Sequence, residues 1–185
     1  MKELFLIALV ASAISNANAQ AKYMTKTGKV TFDAGTGLED ITAVNKSVTT
    51  AIDSKSGAIQ FSMQIKGFEF KSQLMQDHFN ENYMESEKYP KATFKGKIVN
   101  LDKVNFSKDG TYKVKVNGEM EIHGVKNKDV EADGEIVVKG TDLEVSSDFV
   151  VKMEDYKINI PSVVKDKLAS KADIKVNCKY SIVKQ

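Results

Sequence analysis

Apolar and polar residues alternate along most of this chain with the two-residue period of a half-buried β-strand. The clearest example runs from Tyr112 to Ile122, where tyrosine, valine, methionine and isoleucine alternate with lysine, asparagine and glutamate. The same pattern recurs in Ile59–Ile65, Leu143–Met153 and Ile174–Ile182, with weaker versions at Val30–Phe32, Val44–Ile52, Ala92–Leu101 and Val130–Val138. These segments predict eight to nine strands, mostly antiparallel, that are separated by polar and glycine-containing turns.

Each predicted strand has one apolar face, which either a β-sandwich or a closed barrel would bury. Long strands and the removal of exposed sheet edges favour an antiparallel, up-and-down barrel of about eight strands. The interior of a barrel of that size holds side chains and one small ligand. The predicted fold class is therefore all-β, with the sandwich open as an alternative.

One stretch departs from the alternation and predicts a helix from about Ser72 to Met84, with Ser72 as the N-cap. Pro90 cannot extend that helix, so a new strand is expected near Ala92. The apolar and aromatic stripe of this helix comprises Leu74, Met75, His78, Phe79 and Tyr83. A single helix of this kind needs a surface to cover, and we expect it to lie over the mouth of the barrel.

A second, short helix is expected in the C-terminal part of the chain, after Pro161. Ser162 would cap it, and Val163, Val164 and Leu168 would face inwards.

The first nineteen residues have the pattern of a cleavable signal peptide. Lys2 precedes an apolar run from Leu4 to Ile14, and the small-residue sequence Ala17-Asn18-Ala19 follows. The run is too short to span a bilayer; a buried N-terminal helix is the alternative. We expect a mature domain from residue 20 to 185, periplasmic or secreted, and no lipid anchor, because no cysteine follows the cleavage site.

Composition narrows the function classes further. The chain of 185 residues carries 27 Lys and Arg against 25 Asp and Glu, a formal charge of +2, which argues against nucleic acid as a partner. Cys178 is the only cysteine, so no intramolecular disulfide can form. It belongs to an inward-facing set with Val176 and Tyr180, and we expect it to be a buried, unreactive thiol.

His78 and Glu81 are three residues apart on the predicted helix, a spacing that suits an acid–base or metal-binding pair. The other histidine, His123, lies near a strand end on the polar side, and no motif supplies further ligands. The sequence has no CxxC, P-loop or GxGxxG motif. Neither a catalytic or metal site nor a cofactor is predicted, and His78 is interpreted as a hydrogen-bonded helix residue.

The inward-facing aromatic and methionine side chains fit two interpretations. They either fill a packed core, the usual case for a small domain, or line an apolar cavity, which flexible methionines also suit. The candidate lining residues are Phe61, Met63, Phe68, Phe70, Leu74, Met75, Phe79, Phe94, Met120, Ile122, Phe149 and Met153.

Two segments carry a resemblance to a known family. The run HFNENYMESEKYPKATFKG, His78 to Gly96, and the shorter GEMEIHGV, Gly118 to Val125, resemble signatures of the YceI-like family. With the strand spacing, the resemblance covers roughly residues 22–183. It implies a lipocalin-like barrel whose elongated lumen, lined by the candidate residues, holds a long isoprenoid-type lipid without catalysis.

The sequence departs from the family in an early strand. Many members begin that strand with a His-Ser pair, whereas the corresponding segment here is NKSVTTAI, Asn45 to Ile52. The nearest candidates for contact with a polar head group are His78, Tyr83 and Tyr89, because they lie on the element that would cover the mouth.

Three functional hypotheses remain. The first is a binding protein that sequesters or carries a long-chain isoprenoid, isoprenoid quinone-like or fatty lipid. The second is a lipid-acting enzyme that uses His78 and Glu81, and the third is a solid β-domain that serves as an interaction module. The oligomeric state stays open, a dimer included.

Overall fold

The computed structural model describes residues 21–183, so the predicted signal peptide lies outside the described residues. No helix in the described part of the chain is long and apolar enough to cross a membrane. The strands are β1 (Lys22–Gly35), β2 (Thr42–Asp53), β3 (Ala58–Gln64), β4 (Phe68–Phe70), β5 (Lys91–Ile98), β6 (Gly110–Ile122), β7 (Val125–Lys139), β8 (Asp142–Lys152) and β9 (Leu168–Ile182). The α-helix α1 (Gln73–His78) lies between β4 and β5.

The strands form one antiparallel sheet that closes on itself. Its order is β1-β9-β8-β7-β6-β5-β3-β2, and β2 pairs again with β1. The ninth strand, β4, also pairs with β2 and continues β3 after the 3₁₀ turn Ile65–Gly67. The predicted up-and-down barrel of eight strands is confirmed, and the sandwich is excluded.

Two apolar clusters divide the barrel into a lower and an upper half. The lower cluster consists of Tyr23, Ile52, Ile98, Val114, Ile136, Val138, Leu143, Cys178 and Tyr180. Within it, the buried hydroxyl groups of Thr50 and Tyr180 form a hydrogen bond of 2.9 Å, so both are satisfied away from water. The upper cluster includes residues of β4, the helical segment and the turn after β8.

The predicted burial of Cys178 is confirmed, because the residue is 3% exposed. Its sulfur lies against Gly28, where the pairing of β1 with β2 shifts register. A Cβ atom at Gly28 would lie only 2.6 Å from this sulfur, so glycine is needed for the close packing. Burial raises the pKa of the thiol to about 11.

The helix occupies the predicted segment but changes pitch within it. Ser72 is the N-cap residue, although its side chain makes no capping hydrogen bond. Beyond His78, the chain continues as a π-helical turn over Phe79–Tyr83, in which the Met84 amide donates to the Phe79 carbonyl at 2.9 Å. The extra residue in this turn alters which side chains face the barrel.

The second helix is only a 3₁₀ turn, Ser162–Val164, and Pro161, not Ser162, occupies the cap position. The inward orientation of Val163 was wrong, because that side chain is 88% exposed. Val164 and Leu168 are half-buried, and Leu168 is the first residue of β9. A turn this short cannot present three neighbouring side chains to one surface.

We predict that Cys178 reacts slowly with a thiol reagent at pH 8 in the folded protein and rapidly in denaturant. With a pKa of about 11, on the order of one thiol in a thousand is ionised at that pH, and the burial of the side chain restricts access of the reagent. Absorbance of the released thiolate from an aromatic disulfide reagent measures both rates. Equal rates in the two conditions would contradict the packing of β9 against β1.

Candidate ligand cavity

The upper half of the barrel encloses an apolar cavity of about 90 Å³. Twenty residues line it, and Thr93 is the only polar one among them. They come from seven of the nine strands, from the helical segment and from the turns around it and after β8, so the cavity lies on the barrel axis. The predicted lining residues found here are Phe61, Met63, Phe68, Phe79, Phe94, Met120, Ile122, Phe149 and Met153.

A second cavity of about 150 Å³ lies nearer the rim. Its walls are the β1–β2 loop, the helical segment and the residues between β8 and β9. It shares five side chains with the first cavity: Phe32, Phe79, Met84, Met153 and Ile158. Phe70, Met75, His78 and Tyr83, all predicted site residues, line this second cavity.

An aromatic cluster separates the two cavities. The ring of Phe79 lies 5.7 Å from that of Phe32, 5.5 Å from that of Phe68 and 4.9 Å from that of Phe70, measured between centroids. Most of these contacts are edge-to-face, an arrangement that stabilises aromatic pairs beyond simple burial. Phe32 and Phe79 line both cavities, so this cluster forms part of the wall that the two cavities share.

Cavity size sets what the barrel holds without rearrangement. An engineered apolar cavity of roughly 150 Å³ accommodates a molecule the size of benzene, so each cavity alone fits only a short ligand. A long chain requires side chains in the lumen to move. Met63, Met84, Met120 and Met153 line the cavities, and unbranched methionine side chains repack at low cost.

Eleven of the twelve predicted lining residues line one of the two cavities. The exception is Leu74, which is 63% exposed, so its assignment to the lumen was wrong. It precedes Met75 by about 100° around the helix, which turns its side chain to solvent. The sequence pattern did not distinguish these two neighbours.

Of the three candidates for contact with a head group, His78 and Tyr83 lie at the second cavity. Tyr89 does not, and that assignment was wrong. Its ring packs edge-on against His123, with 4.6 Å between centroids, and it touches Gly124, so it serves the turn between β6 and β7.

Several lining residues were not predicted. Val30 and Phe32 belong to a segment with alternating apolar residues, so their period already indicated an inward face. Ile158 and Ile160 lie between β8 and β9 outside any regular element, and no periodicity identifies them.

His123 connects three parts of the rim, although the sequence placed it on the polar side of a strand. Its side chain is only 11% exposed. Nδ1 lies 3.1 Å from the Tyr156 carbonyl oxygen, and Nε2 lies 2.9 Å from Glu85 Oε2. Both partners are acceptors, so a neutral imidazole can donate to only one of them.

The contacts of His123 hold the helical segment in place. Glu85 follows that segment, His123 lies in the β6–β7 turn, and Tyr156 belongs to the 3₁₀ turn after β8. Glu85 and His123 both have a positive φ, 42° and 52°, which non-glycine residues adopt at a cost. The network therefore fixes two strained turns against each other.

His78 and Glu81 do not converge on a common pocket. His78 borders the second cavity, whereas Glu81 is exposed and lines neither cavity. Within residues 21–183, no group of three or more His, Cys, Asp or Glu side chains is arranged to hold a metal ion.

Asn45, at the start of the segment that lacks a histidine, has a structural role. It is fully buried, and its Nδ2 donates to the Gln64 carbonyl at 2.9 Å while its Oδ1 accepts from the Ser47 amide at 2.9 Å. Gly67 packs directly on this side chain. Asn45 thus fixes β2 to the 3₁₀ turn between β3 and β4.

The family model described as the YceI-like domain matches residues 11–180. No curated protein is significantly similar in sequence.

Solved structures share the fold at low sequence identity. A polyisoprenoid binding domain from Saccharophagus degradans, implicated in plant cell wall breakdown, superposes with a TM-score of 0.75 at 12% identity, over 89% of this chain and 99% of that one. BcnA of Burkholderia cenocepacia has a TM-score of 0.67 at 16% identity, over 82% and 95%. The YCEI protein of Campylobacter jejuni has a TM-score of 0.51 at 23% identity, over 75% and 81%.

We predict that Phe79→Ala lowers the free energy of unfolding of the lipid-free protein by about 3–5 kcal/mol, because it removes a buried ring and leaves a cavity. It also removes part of the wall that the two cavities share. Urea unfolding followed by circular dichroism measures the change. Leu74→Ala, five residues earlier and exposed, is the control and should cost less than about 0.5 kcal/mol; equal costs would contradict the position of Phe79.

Proposed function

The chain belongs to the YceI-like family, and from that premise we propose that it binds a long-chain apolar lipid in the barrel lumen. One observation carries the proposal: nineteen of the twenty residues around the first cavity are apolar, and a second cavity continues from it towards the rim. The similar fold of a polyisoprenoid binding domain supports the choice of ligand class.

Burial of the chain would supply the binding energy. At about 25 cal/mol per Å² of apolar surface, an extended chain that buries several hundred Å² gains on the order of 10 kcal/mol before entropy costs. No polar anchor is required for tight binding. Contacts of this kind discriminate chain types weakly, so the proposed ligands are a polyisoprenoid, an isoprenoid quinone or another long-chain lipid.

The polar end of the ligand would face the outside of the barrel. His78 and Tyr83 at the second cavity are the residues proposed to contact it there, together with Lys167 and Glu39, which form an ion pair of 3.1 Å on the same wall. The first cavity offers no charged partner, so a head group placed there would lose its hydration without compensation.

The cavities favour a binding protein over the two alternatives. A solid interaction module does not need two adjoining apolar cavities. The proposed lipid-acting enzyme would need His78 and Glu81 in one pocket, but only His78 lines a cavity. The role proposed is sequestration or carriage of the lipid.

We predict that organic extraction of protein purified from its host without detergent yields about one apolar molecule per chain. Met120→Trp places a large ring in the lumen, so this variant should lose the lipid and keep its thermal midpoint in the lipid-free comparison. Mass spectrometry measures the bound lipid and calorimetry the thermal midpoint, on the same preparation. Val99→Trp, which adds the same ring at an exposed position outside the lumen, is the control and should keep the lipid.

A different result would support the solid domain. In a packed core, the tryptophan would cost about 1–3 kcal/mol through overpacking. Wild-type protein that yields no stoichiometric lipid, with a destabilised Met120→Trp, would overturn the proposal.

We also propose that the protein is exported and that residues 1–19 are removed. The basic start, the apolar run and the Ala17-Asn18-Ala19 pattern support this. The intact mass of protein from the periplasm should correspond to a chain that begins near Gln20. A mass that includes Met1 to Ala19 would contradict export by this route.

A further inference from the structure

The barrel wall has an opening between β7 and β8. Their pairing covers only the lower ends, from Glu135 opposite Ser146 to Lys139 opposite Asp142. By contrast, β8 pairs with β9 over ten residues, up to Lys152. The upper parts of β7 and β8 are therefore neighbours in the barrel without a shared ladder.

A bulge in β7 explains the separation. Gly118 of β6 pairs with Val130, but Met120 pairs with Asn127, so β7 contains an extra residue at this point. Asp129, within the bulge, has a φ of 59°. Bulges bend a strand and increase its twist, which turns the upper part of β7 away from β8.

The opening is closed at both ends and so forms a window. Below it, the Ser147 hydroxyl donates to the Asp133 carbonyl at 2.6 Å. Above it, the Asn127 side-chain amide donates to the Asp155 carbonyl at 3.0 Å. The stretch of β7 between these bonds, Asn127 to Asp133, is about 20 Å long at roughly 3.3 Å per residue.

The window borders the lumen. It forms a cleft of about 410 Å³ on the outer surface, and three of its lining residues, Met120, Phe149 and Val151, also line the first cavity. Its edges carry charged side chains of both signs: Lys128, Glu131, Lys152 and Asp155.

We infer that this window is the passage through which the apolar chain of the ligand enters and leaves the barrel, an inference that rests on the proposed function. The route through the rim reaches the first cavity past the side chains that line both cavities, Phe79 among them. Ion pairs also tie the surrounding loops together, Lys167 with Glu39 and Lys71 with Asp40. The window bypasses these side chains and loops. Its charged edges suit an amphipathic ligand whose chain passes inwards while the polar end stays hydrated.

Single-cysteine labelling tests the route, because the native Cys178 is buried and its pKa is raised to about 11. Val150→Cys places a thiol in the window, at a position that is 54% exposed. Leu74→Cys places one on the helix over the rim, and Lys175→Cys places one on the exposed outer face of β9. Each variant is coupled to a bulky polyethylene glycol maleimide, and unlabelled variants serve as references.

The probe is cis-parinaric acid, a long-chain fatty acid that fluoresces in apolar surroundings, mixed with lipid-free protein in a stopped-flow instrument. We expect the label at Val150→Cys to slow association and dissociation by the same factor, at least tenfold. Kd then stays unchanged, because an obstructed passage affects both directions equally. Labels at Leu74→Cys and Lys175→Cys should change the rates less than twofold.

Other outcomes overturn the inference. If only the label at Leu74→Cys slows uptake, the ligand enters through the rim; if no label slows it, the window is not used. A higher Kd for labelled Val150→Cys with an unchanged association rate would make the cleft part of the binding site instead of the entry route. Wild-type protein that takes up neither this probe nor competing geranylgeraniol would refute the proposed function itself.

Discussion

The closure of the sheet through β1 and β9 is the constraint on which the rest of the molecule depends. Once each of the eight strands of the closed ring has a partner on both sides, one face of each must point to the barrel axis, and the interior must be filled by those side chains and by segments that reach in from the rim. The lower half achieves this with nine buried residues and a hydroxyl pair. The upper half does so only partly, with phenylalanine and methionine around two cavities. Binding capacity thus arises from incomplete filling of one end.

Strand periodicity explains why the sequence predicted the strands and their inward-facing residues. In a strand, a residue either faces the axis or faces water, so the alternation in β3, β6, β8 and β9 assigned lumen residues such as Met63, Met120 and Phe149 correctly. Outside the strands this two-way choice disappears. Leu74 on the helix, Tyr89 in a loop and Val163 in a 3₁₀ turn were assigned wrongly because several directions are open to each side chain.

Features that depend on contacts between distant segments had no sequence signal. His123 contacts Glu85, 38 residues earlier, and the window depends on where β7 and β8 stop pairing. Alternation predicts that a strand exists but does not give the extent of its ladder, and the bulge at Asp129 looks like an ordinary polar position. The family resemblance supplied the lipid-binding hypothesis, yet only the register of the strands revealed a second way into the lumen.

The pairing of β1 with β9 also governs how the protein folds. Tyr23 lies opposite Ile182, so the ring is completed by the two strands that are farthest apart in the sequence. A chain emerging from the ribosome cannot close its barrel until the last strand has been synthesised, and contacts across such separations make folding slow. Until then, both edges of the growing sheet stay unpaired and open to aggregation. Rapid capture of the nascent chain by a chaperone would therefore matter more for this protein than for one built from local contacts.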